Sequence, residues 1–306
     1  MSVPPSGEQF EIAFEDQRAT VVEVGGGIRE YVVGDRPVLD PYLLDAICDG
    51  AHGAVLIPWP NRLADGWYRF EGSEYQVDVS EPGKRNAIHG LLRWRDWRAV
   101  ERDSERVLMA IRLYPTPGYP FALDATVGYA LGEAGLVVTT TATNIGDRVA
   151  PFGCGHHPYL SPGEGLIDAC ALQLDARTRI RTDDERQLPV GREDVEDTPF
   201  DLRGGRVIDG QEIDHAFTDL GRDGDGRAVV RLTAPDGIRS ELWVDRAYPF
   251  VEVFTGDTLA PDRRRRGLGV EPMTCAPNAF NTGEGLIRLE PGRSVAATWG
   301  ARLIPA

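Results

Sequence analysis

Two adjacent histidines, His156 and His157, occur in the segment Gly155-His156-His157-Pro158-Tyr159. Histidine titrates closer to neutral pH than any other side chain, which suits it to proton transfer. Pro158 favours an extended backbone in the residue before it, so the pair is predicted to lie on a strand or at its end. Because successive strand residues point to opposite faces, we expect only one of the two rings to enter a pocket.

A carboxylate would complement such an imidazole, and the candidate is Glu271 in Val270-Glu271-Pro272. The residues after it carry no charge as far as Asn281. Apolar surroundings raise the basicity of a carboxylate. His89, in Asn86-Ala87-Ile88-His89-Gly90, is a third candidate. These residue types predict general acid and base catalysis.

Other kinds of chemistry are less well supported. The histidines form no HxH or HExxH pattern, so we predict no metal site and no cofactor. The GxSxG pattern of nucleophilic hydrolases is absent. A glycoside hydrolase needs two suitably placed carboxylates, and only Glu271 stands out. Gly25-Gly26-Gly27 is interpreted as a tight turn, because no GK[ST] follows it.

The elements that must position these residues are predicted to be β-strands. Apolar and polar residues alternate in short segments that are separated by glycine-containing turns. The predicted strands span residues 10–14, 20–24, 28–33, 75–79, 107–113, 125–131, 136–144, 238–244 and 294–303. A short turn is expected near 41–48. Since no linker interrupts the pattern, residues 1–306 are predicted to form a single all-β domain, with a flexible N-terminus at 1–8.

Charge and cysteine content restrict the partners and the compartment. The chain has 33 basic and 48 acidic residues, and its net charge of -15 repels nucleic acid and anionic membranes. No segment approaches the roughly 20 apolar residues of a membrane span, and the N-terminus lacks the features of a signal peptide. The four cysteines show no CxxC spacing, so reduced thiols and a cytoplasmic location are expected. The four arginines at 263–266 are expected to form a solvated loop.

Five motifs in a fixed order give the sequence a family resemblance. They are Pro58-Trp59-Pro60-Asn61-Arg62 with 66–70, Asn86 to Gly90, Gly153 to Tyr159, Ile213-Asp214-His215-Ala216-Phe217, and Val270 to Thr274 with 277–281. In order and spacing they resemble the aldose 1-epimerase family, also called galactose mutarotases. The segment Glu271-Pro272-Met273-Thr274 resembles the corresponding segment in a bacterial branch of that family. The resemblance does not specify which sugar is preferred.

The resemblance implies a large antiparallel β-sandwich that interconverts the α and β anomers of a free aldohexose without a cofactor. By motif, Glu271 would take the proton from the anomeric hydroxyl, and His157 would protonate the ring oxygen. His89 would hydrogen-bond the ring oxygen or the anomeric region. Arg62 and Asp214 would hold sugar hydroxyls.

Three further residues complete the predicted substrate site. Asn61 belongs to the same motif as Arg62, and Trp59 and Phe280 are aromatic residues that could stack on the apolar face of a sugar. Trp94 and Trp243 are further candidates for the same contact, and we expect at most one or two of the four aromatic residues to make it. The expected partner is a small-molecule sugar, and the chain is expected to be a monomer or a homodimer.

Two alternative functions stay open. A hexose-6-phosphate 1-epimerase of the same fold would need cationic anchors, and five basic residues surround the His89 motif: Lys84, Arg85, Arg93, Arg95 and Arg98. A non-catalytic sugar-binding or sensor protein would not need His89, His157 and Glu271 together. A neutral sugar is favoured, because the chain is acidic and Asp214 suits a hydroxyl better than a phosphate.

Overall fold

A computed structural model describes residues 3–306, and within them the chain is almost entirely β-strand and turn. The predicted all-β class is confirmed. The strands, numbered in chain order, are β1 (Gln9–Phe14), β2 (Gln17–Val22), β3 (Ile28–Val33), β4 (Arg36–Leu39), β5 (Val55–Leu56), β6 (Arg62–Ala64), β7 (Trp67–Phe70), β8 (Ser73–Gln76), β9 (Asn86–Ile88), β10 (Arg98–Arg102), β11 (Arg106–Leu113), β12 (Leu123–Gly132), β13 (Gly135–Asn144), β14 (Ala150–Phe152), β15 (Gly155–His156), β16 (Tyr159–Leu160), β17 (Ala171–Leu174), β18 (Ala176–Thr182), β19 (Pro189–Asp194), β20 (Arg206–Val207), β21 (Asp214–Leu220), β22 (Ala228–Thr233), β23 (Arg239–Val244), β24 (Phe250–Phe254), β25 (Leu268–Met273), β26 (Ile287–Leu289) and β27 (Ser294–Ile304).

Helical structure is short. The one-turn helix α1 covers Ala279–Thr282, and 3₁₀ turns cover Pro82–Lys84 and Ile167–Ala169. Among the described residues, no helix has the length and apolar character needed to cross a membrane.

Two large antiparallel sheets form the framework. The first has the strand order β1, β2, β3, β4, β16, β25, β24, β21, β18, β19, and β15 joins it by pairing with β25 and β5. The second has the order β10, β11, β12, β13, β27, β23, β22, β17, β20. Three two-stranded ribbons, β6 with β9, β7 with β8 and β14 with β26, flank the sheets.

The core lies between the inner faces of the two sheets. Strand β12 alternates buried and half-exposed residues along its whole length, as a strand with one face in the core does. Tyr31 from the first sheet and Trp299 from the second are both fully buried in one continuous apolar cluster. A hydrogen bond of 2.8 Å from the Tyr129 hydroxyl to the Gly26 carbonyl also joins the two layers.

Most predicted strands are present, with shifted ends. The strand predicted at 28–33 has the same bounds in the structure, Ile28–Val33. The strand predicted at 136–144 is Gly135–Asn144, one residue longer at its start. The strand predicted at 20–24 is instead Gln17–Val22, because Gly25 and Gly26 adopt positive φ and turn the chain soon after it. The short turn expected near 41–48 is present, and in it the Ala46 amide donates to the Leu43 carbonyl at 3.1 Å. Leu43, Leu44 and Ile47 are exposed there, so no apolar face packs to support a helix.

The expected flexible N-terminus covers residues 1–8, of which 1 and 2 lie outside the described residues. Ser6 is buried, and its carbonyl accepts a 3.0 Å hydrogen bond from Val24. The amide of Gly7 donates to the Pro4 carbonyl at 2.9 Å. This part of the segment is therefore held against the first sheet.

Candidate active site

A cavity of about 310 Å³ opens on the outer face of the first sheet, at the lower end of the roughly 300–1,000 Å³ typical of small-molecule sites. Six of the eight predicted site residues line it: Asn61, Arg62, His89, His157, Asp214 and Glu271. They come from separate segments of the chain, so the fold assembles the site.

Strand alternation explains how this face acquires its polar residues. On β24, Val251 and Val253 point into the core, which leaves Glu252 and Phe254 on the opposite face. Glu252 pairs directly with Glu271 of β25 in the antiparallel register. Directly opposed residues share a face of the sheet, so the Glu271 carboxylate lies on the cavity side.

His157 is positioned between two short strands, β15 and β16. Its amide donates to the Ala54 carbonyl at 3.0 Å, and its carbonyl accepts from Gly53 at 2.9 Å. The ring packs on Tyr159, with a centroid distance of 5.0 Å and an interplanar angle of 21°. Nε2 of His157 lies 3.1 Å from Oε1 of Glu271, and both side chains are buried. A proton can pass between groups at this distance.

His89 completes the cluster from the opposite side. Its ring meets that of His157 edge to face, with centroids 5.2 Å apart. His89 has φ +63° and Asn61 has φ +54°, and the His89 amide donates to the Asn61 carbonyl at 3.0 Å. Left-handed backbone costs energy in residues other than glycine and concentrates at functional sites.

Burial controls the protonation of this cluster. It raises the pKa of Glu271 well above its ordinary value, and the negative charge of Asp214 raises it further, while Arg62 opposes both effects. Burial also lowers the pKa of His157 to about 3. The pKa of His89 falls well below its ordinary value, through burial and then through repulsion by His157. Since both charged forms are disfavoured, one proton shared by His157 and Glu271 is the stable state.

The predicted sugar-binding residues are held by partners on neighbouring loops. Arg62 donates from Nε to a Glu81 carboxylate oxygen at 3.0 Å, which fixes the guanidinium at the rim of the cavity. Asp214, the first residue of β21, accepts from the side-chain amide of Gln187. Three atoms of the cluster, His89 Nδ1, His157 Nδ1 and Glu271 Oε2, are buried without a hydrogen-bond partner within residues 3–306. His89 Nδ1 and Glu271 Oε2 are available to a polar ligand.

Glu252 is a buried acidic residue that the sequence analysis missed. It is 3% exposed and accepts a 3.3 Å hydrogen bond from the Asn61 side-chain amide. Burial raises the pKa of Glu252 well above its ordinary value, and the charges of Asp214 and Glu271 add to the shift. Its position in the alternating segment Phe250–Phe254 could have indicated a role in the site. That inference needs the strand pairing, which places Glu252 directly opposite Glu271.

His156 and His157 point to opposite sides, as the alternation of a strand predicts. His156 lies in the core, where Nε2 is 2.6 Å from the Thr140 hydroxyl. Its ring centroid is 5.5 Å from that of Trp299. Cross-sheet packing therefore accounts for His156.

Two of the predicted sugar-stacking residues do not line the cavity. Trp59 and Phe280 are 3% and 4% exposed and pack edge to face against each other in the core, with centroids 5.5 Å apart. These rings have a large apolar area, and removing that area from water stabilises the core. Trp94, which is 51% exposed, and Phe254 are the aromatic residues on the cavity wall. Trp243 lies on the second sheet beneath Arg227.

The four arginines at 263–266 do not form a uniformly solvated loop. Arg263 bonds to Asp40 at 2.7 Å, and Arg265 bonds to Asp168 at 3.0 Å and to Asp257 at 2.6 Å. Arg264 and Arg266 are exposed. The expectation was wrong for alternate residues, because acidic partners from distant loops converge on them.

The same cluster includes a set of atoms that could hold a metal ion. One ligand atom each from His89, His157 and Glu271 lie within 4.8 Å of one another. Two imidazoles and a carboxylate are ligands that zinc accepts. Motif spacing could not show this convergence, because the three residues come from distant segments.

Comparison with known proteins identifies the family. Residues 8–301 match the family model for aldose 1-epimerase, and the chain belongs to that family. It is 37% identical over 290 residues to the uncharacterized protein YihR of Escherichia coli (strain K12), covering 94% of this chain and 91% of that protein. It is 29% identical over 220 residues to the galactose mutarotase of Pongo abelii, covering 65% of this chain and 62% of the relative.

A solved structure shows the same fold. The GalM/aldose epimerase homologue from C. elegans superposes with a TM-score of 0.87 at 18% identity, covering 98% of this chain and 99% of that chain. The predicted family and the antiparallel sandwich are both confirmed.

Proposed function

We propose that the protein is an aldose 1-epimerase that interconverts the α and β anomers of a free aldohexose. The observation that carries the proposal is the 3.1 Å approach of His157 Nε2 to Glu271 Oε1 on the wall of a cavity that a sugar can enter. Galactose mutarotases among the relatives support the reaction type.

The proposed mechanism moves two protons in opposite directions. With the shared proton on His157 and Glu271 ionised, Glu271 takes the proton from the anomeric hydroxyl and His157 gives its proton to the ring oxygen, so that the bond between C1 and the ring oxygen breaks. The open aldehyde rotates about the bond between C1 and C2. Reclosure on the other face returns both protons and yields the other anomer. Each positioned acid or base typically contributes about 10²–10⁴-fold.

The remaining residues of the cluster hold the sugar and stabilise charge. His89 is kept neutral by burial, so it serves as a hydrogen-bonding group for the ring oxygen or the anomeric region. Arg62 and Asp214 face the cavity and offer a donor and an acceptor for hydroxyls. Because Glu81 fixes Arg62, the donor is ordered before the sugar binds. Asn61 shapes the site through its amide contact with Glu252.

Polarimetry of freshly dissolved α-D-glucose and α-D-galactose tests the proposal. The protein should accelerate relaxation to the anomeric equilibrium, and Glu271→Gln should slow it by about 10²-fold or more. Glu241→Gln is the matched control, because Glu241 is equally buried but lies on β23, where it is paired with Arg231 and Arg302. This control should lose stability and keep its turnover. Relaxation no faster than in buffer across several neutral and anionic aldoses would overturn the proposal.

A chelator experiment tests the proposed independence from metal. Incubation with EDTA should leave the rate unchanged, because the mechanism uses only protein side chains. Loss of activity that added Zn²⁺ restores would assign the cluster of His89, His157 and Glu271 to a metal instead.

The two alternatives make different predictions. A non-catalytic sugar-binding protein would bind sugars without accelerating mutarotation, and it would tolerate Glu271→Gln. A hexose-6-phosphate 1-epimerase would prefer glucose 6-phosphate to glucose, and one cavity residue, Arg93, favours a charged substrate.

We assign the activity to the cytoplasm, supported by the free state of Cys48, Cys154, Cys170 and Cys275. A monomer or a homodimer stays a prediction.

A further inference from the structure

We propose that Arg93 anchors a negatively charged substituent of the sugar, so that the substrate is an aldose carrying one anionic group. The inference rests on the proposed function, which it deepens by naming the class of substrate.

Arg93 differs from the other arginines near the site in its ion pairing. It lines the same cavity as His157 and Glu271. Within the described residues it has no carboxylate within 4 Å and no side-chain hydrogen bond, whereas Arg62, Arg263 and Arg265 are each paired with at least one carboxylate. A cation left unpaired on the wall of a polar cavity is placed to meet a ligand.

The cost of placing that charge supports the same conclusion. Burial lowers the pKa of Arg93, yet a guanidinium stays protonated at any physiological pH. Partly buried charges are costly unless they are paired. A bound anion would supply the missing partner, and the planar fork of a guanidinium matches the oxygens of carboxylate, sulfate and phosphate groups.

Local structure holds the Arg93 backbone in place. A Cβ on Gly25 would lie 2.5 Å from the Arg93 carbonyl oxygen, so only glycine allows this close approach. The Gly25 amide donates to the Arg95 carbonyl at 2.8 Å. The guanidinium carbon lies 5.1 Å from the centre of the exposed Trp94 ring, which also lines the cavity. The Gly25-Gly26-Gly27 turn thus supports the segment that presents Arg93.

The charge balance of the site favours a monoanion. Arg62 is neutralised by Glu81, and the other ionisable groups around the cavity include the carboxyl groups of Asp214 and Glu271. Lys84, Arg85, Arg95 and Arg98, the other basic residues around the His89 motif, do not line the cavity. A single free cation balances one negative charge, so a carboxylate or a sulfate fits better than a phosphate dianion.

Binding of analogues that cannot open tests the inference separately from catalysis. 1,5-Anhydroglucitol has no anomeric hydroxyl, and it can be compared by calorimetry with its 6-carboxylate, 6-sulfate and 6-phosphate derivatives. C6 is the exocyclic position where a charge leaves the ring unchanged. The carboxylate or the sulfate should bind at least about tenfold more tightly than the neutral compound, and added NaCl should weaken this preference.

Variants assign the preference to one side chain. Arg93→Gln should reduce binding of the charged analogues about tenfold or more and remove their preference over the neutral one, while Arg93→Lys should keep part of it. Arg95→Gln is the matched control, because Arg95 is exposed and lies outside the cavity wall. It should keep the full preference.

The outcomes separate this inference from the proposed function. Equal binding of neutral and charged analogues, or a preference that survives Arg93→Gln, would refute the anchor even if glucose is epimerised rapidly. Tightest binding of the phosphate dianion would refute the monoanion. An anion preference that depends on Arg93, in a protein that accelerates no mutarotation, would support the anchor and refute the enzyme.

Discussion

Nε2 of His157 lies 3.1 Å from Oε1 of Glu271, and both groups are buried. A buried imidazolium and a buried carboxylate are each disfavoured alone, so the pair is most stable with one proton between them. Anomer interconversion needs this state, because one group must accept a proton while the other donates one.

The shared proton predicts an unusually wide pH range of activity. As pH falls through the pKa of His157, which burial lowers to about 3, the pair gains a second proton and loses its base. As pH rises through the raised pKa of Glu271, the pair loses its only proton and with it the acid. The value of kcat/KM should therefore show no step from His157 at about pH 6.5, the ordinary pKa of histidine, and should fall at more acid pH and again as pH rises through the raised pKa of Glu271. A step at about pH 6.5 would show that His157 titrates as an exposed histidine does.

Replacing each of the adjacent histidines by asparagine should affect a different property: catalysis at His157 and stability at His156. His157→Asn should reduce kcat by about 10²-fold with little change in unfolding free energy, since Nδ1 has no hydrogen-bond partner within residues 3–306 and Nε2 faces Glu271 of the site. His156→Asn should leave the Thr140 hydroxyl without its 2.6 Å partner and lower the unfolding free energy by about 1–3 kcal/mol. Urea denaturation and polarimetry on the same samples measure both. Loss of catalysis in folded His156→Asn would contradict the separation of roles.

The sequence predicted the strands and the separation of His156 from His157, because both depend on the local period of a strand. It also predicted six residues that line the cavity, through motifs whose order reflects the fold. Glu252 was not assigned a role in the site, and Arg93 was named only among five basic residues that could anchor a phosphate. Recognising Glu252 needs the pairing of β24 with β25, and singling out Arg93 needs the ion pairs that neutralise the neighbouring Arg62, Arg263 and Arg265. Trp59 and Phe280, which were also assigned to the site, lie in the core and do not line the cavity, since an aromatic residue next to a motif serves the core equally well.

The arginine run predicts a difference between neighbouring residues. Arg265→Gln removes contacts to Asp168 and Asp257 and leaves two partly buried carboxylates without their cation, so the unfolding free energy should fall by about 1–3 kcal/mol. Arg266→Gln changes an exposed residue, and its effect should stay within about 0.5 kcal/mol. Urea denaturation compares the two variants with the wild type. Equal effects would show that the whole run is solvated.

Glu252 predicts that stability depends on pH through a residue beside the site. Burial and two neighbouring carboxylates raise the pKa of Glu252 in the folded state above its unfolded value, which is about 4.3. Its contribution to stability is therefore complete below that value and is lost as pH rises through the folded pKa.

Glutamine keeps the shape and the hydrogen-bonding capacity of the protonated acid but cannot ionise. The stability of Glu252→Gln relative to the wild type should thus increase from acid to alkaline pH, in urea denaturation series at several pH values. Exposed Glu290→Gln is the control and should follow the wild-type curve. A difference between Glu252→Gln and wild type that does not change with pH would mean that Glu252 is ionised in the folded protein, with Arg62 or Asn61 compensating its charge.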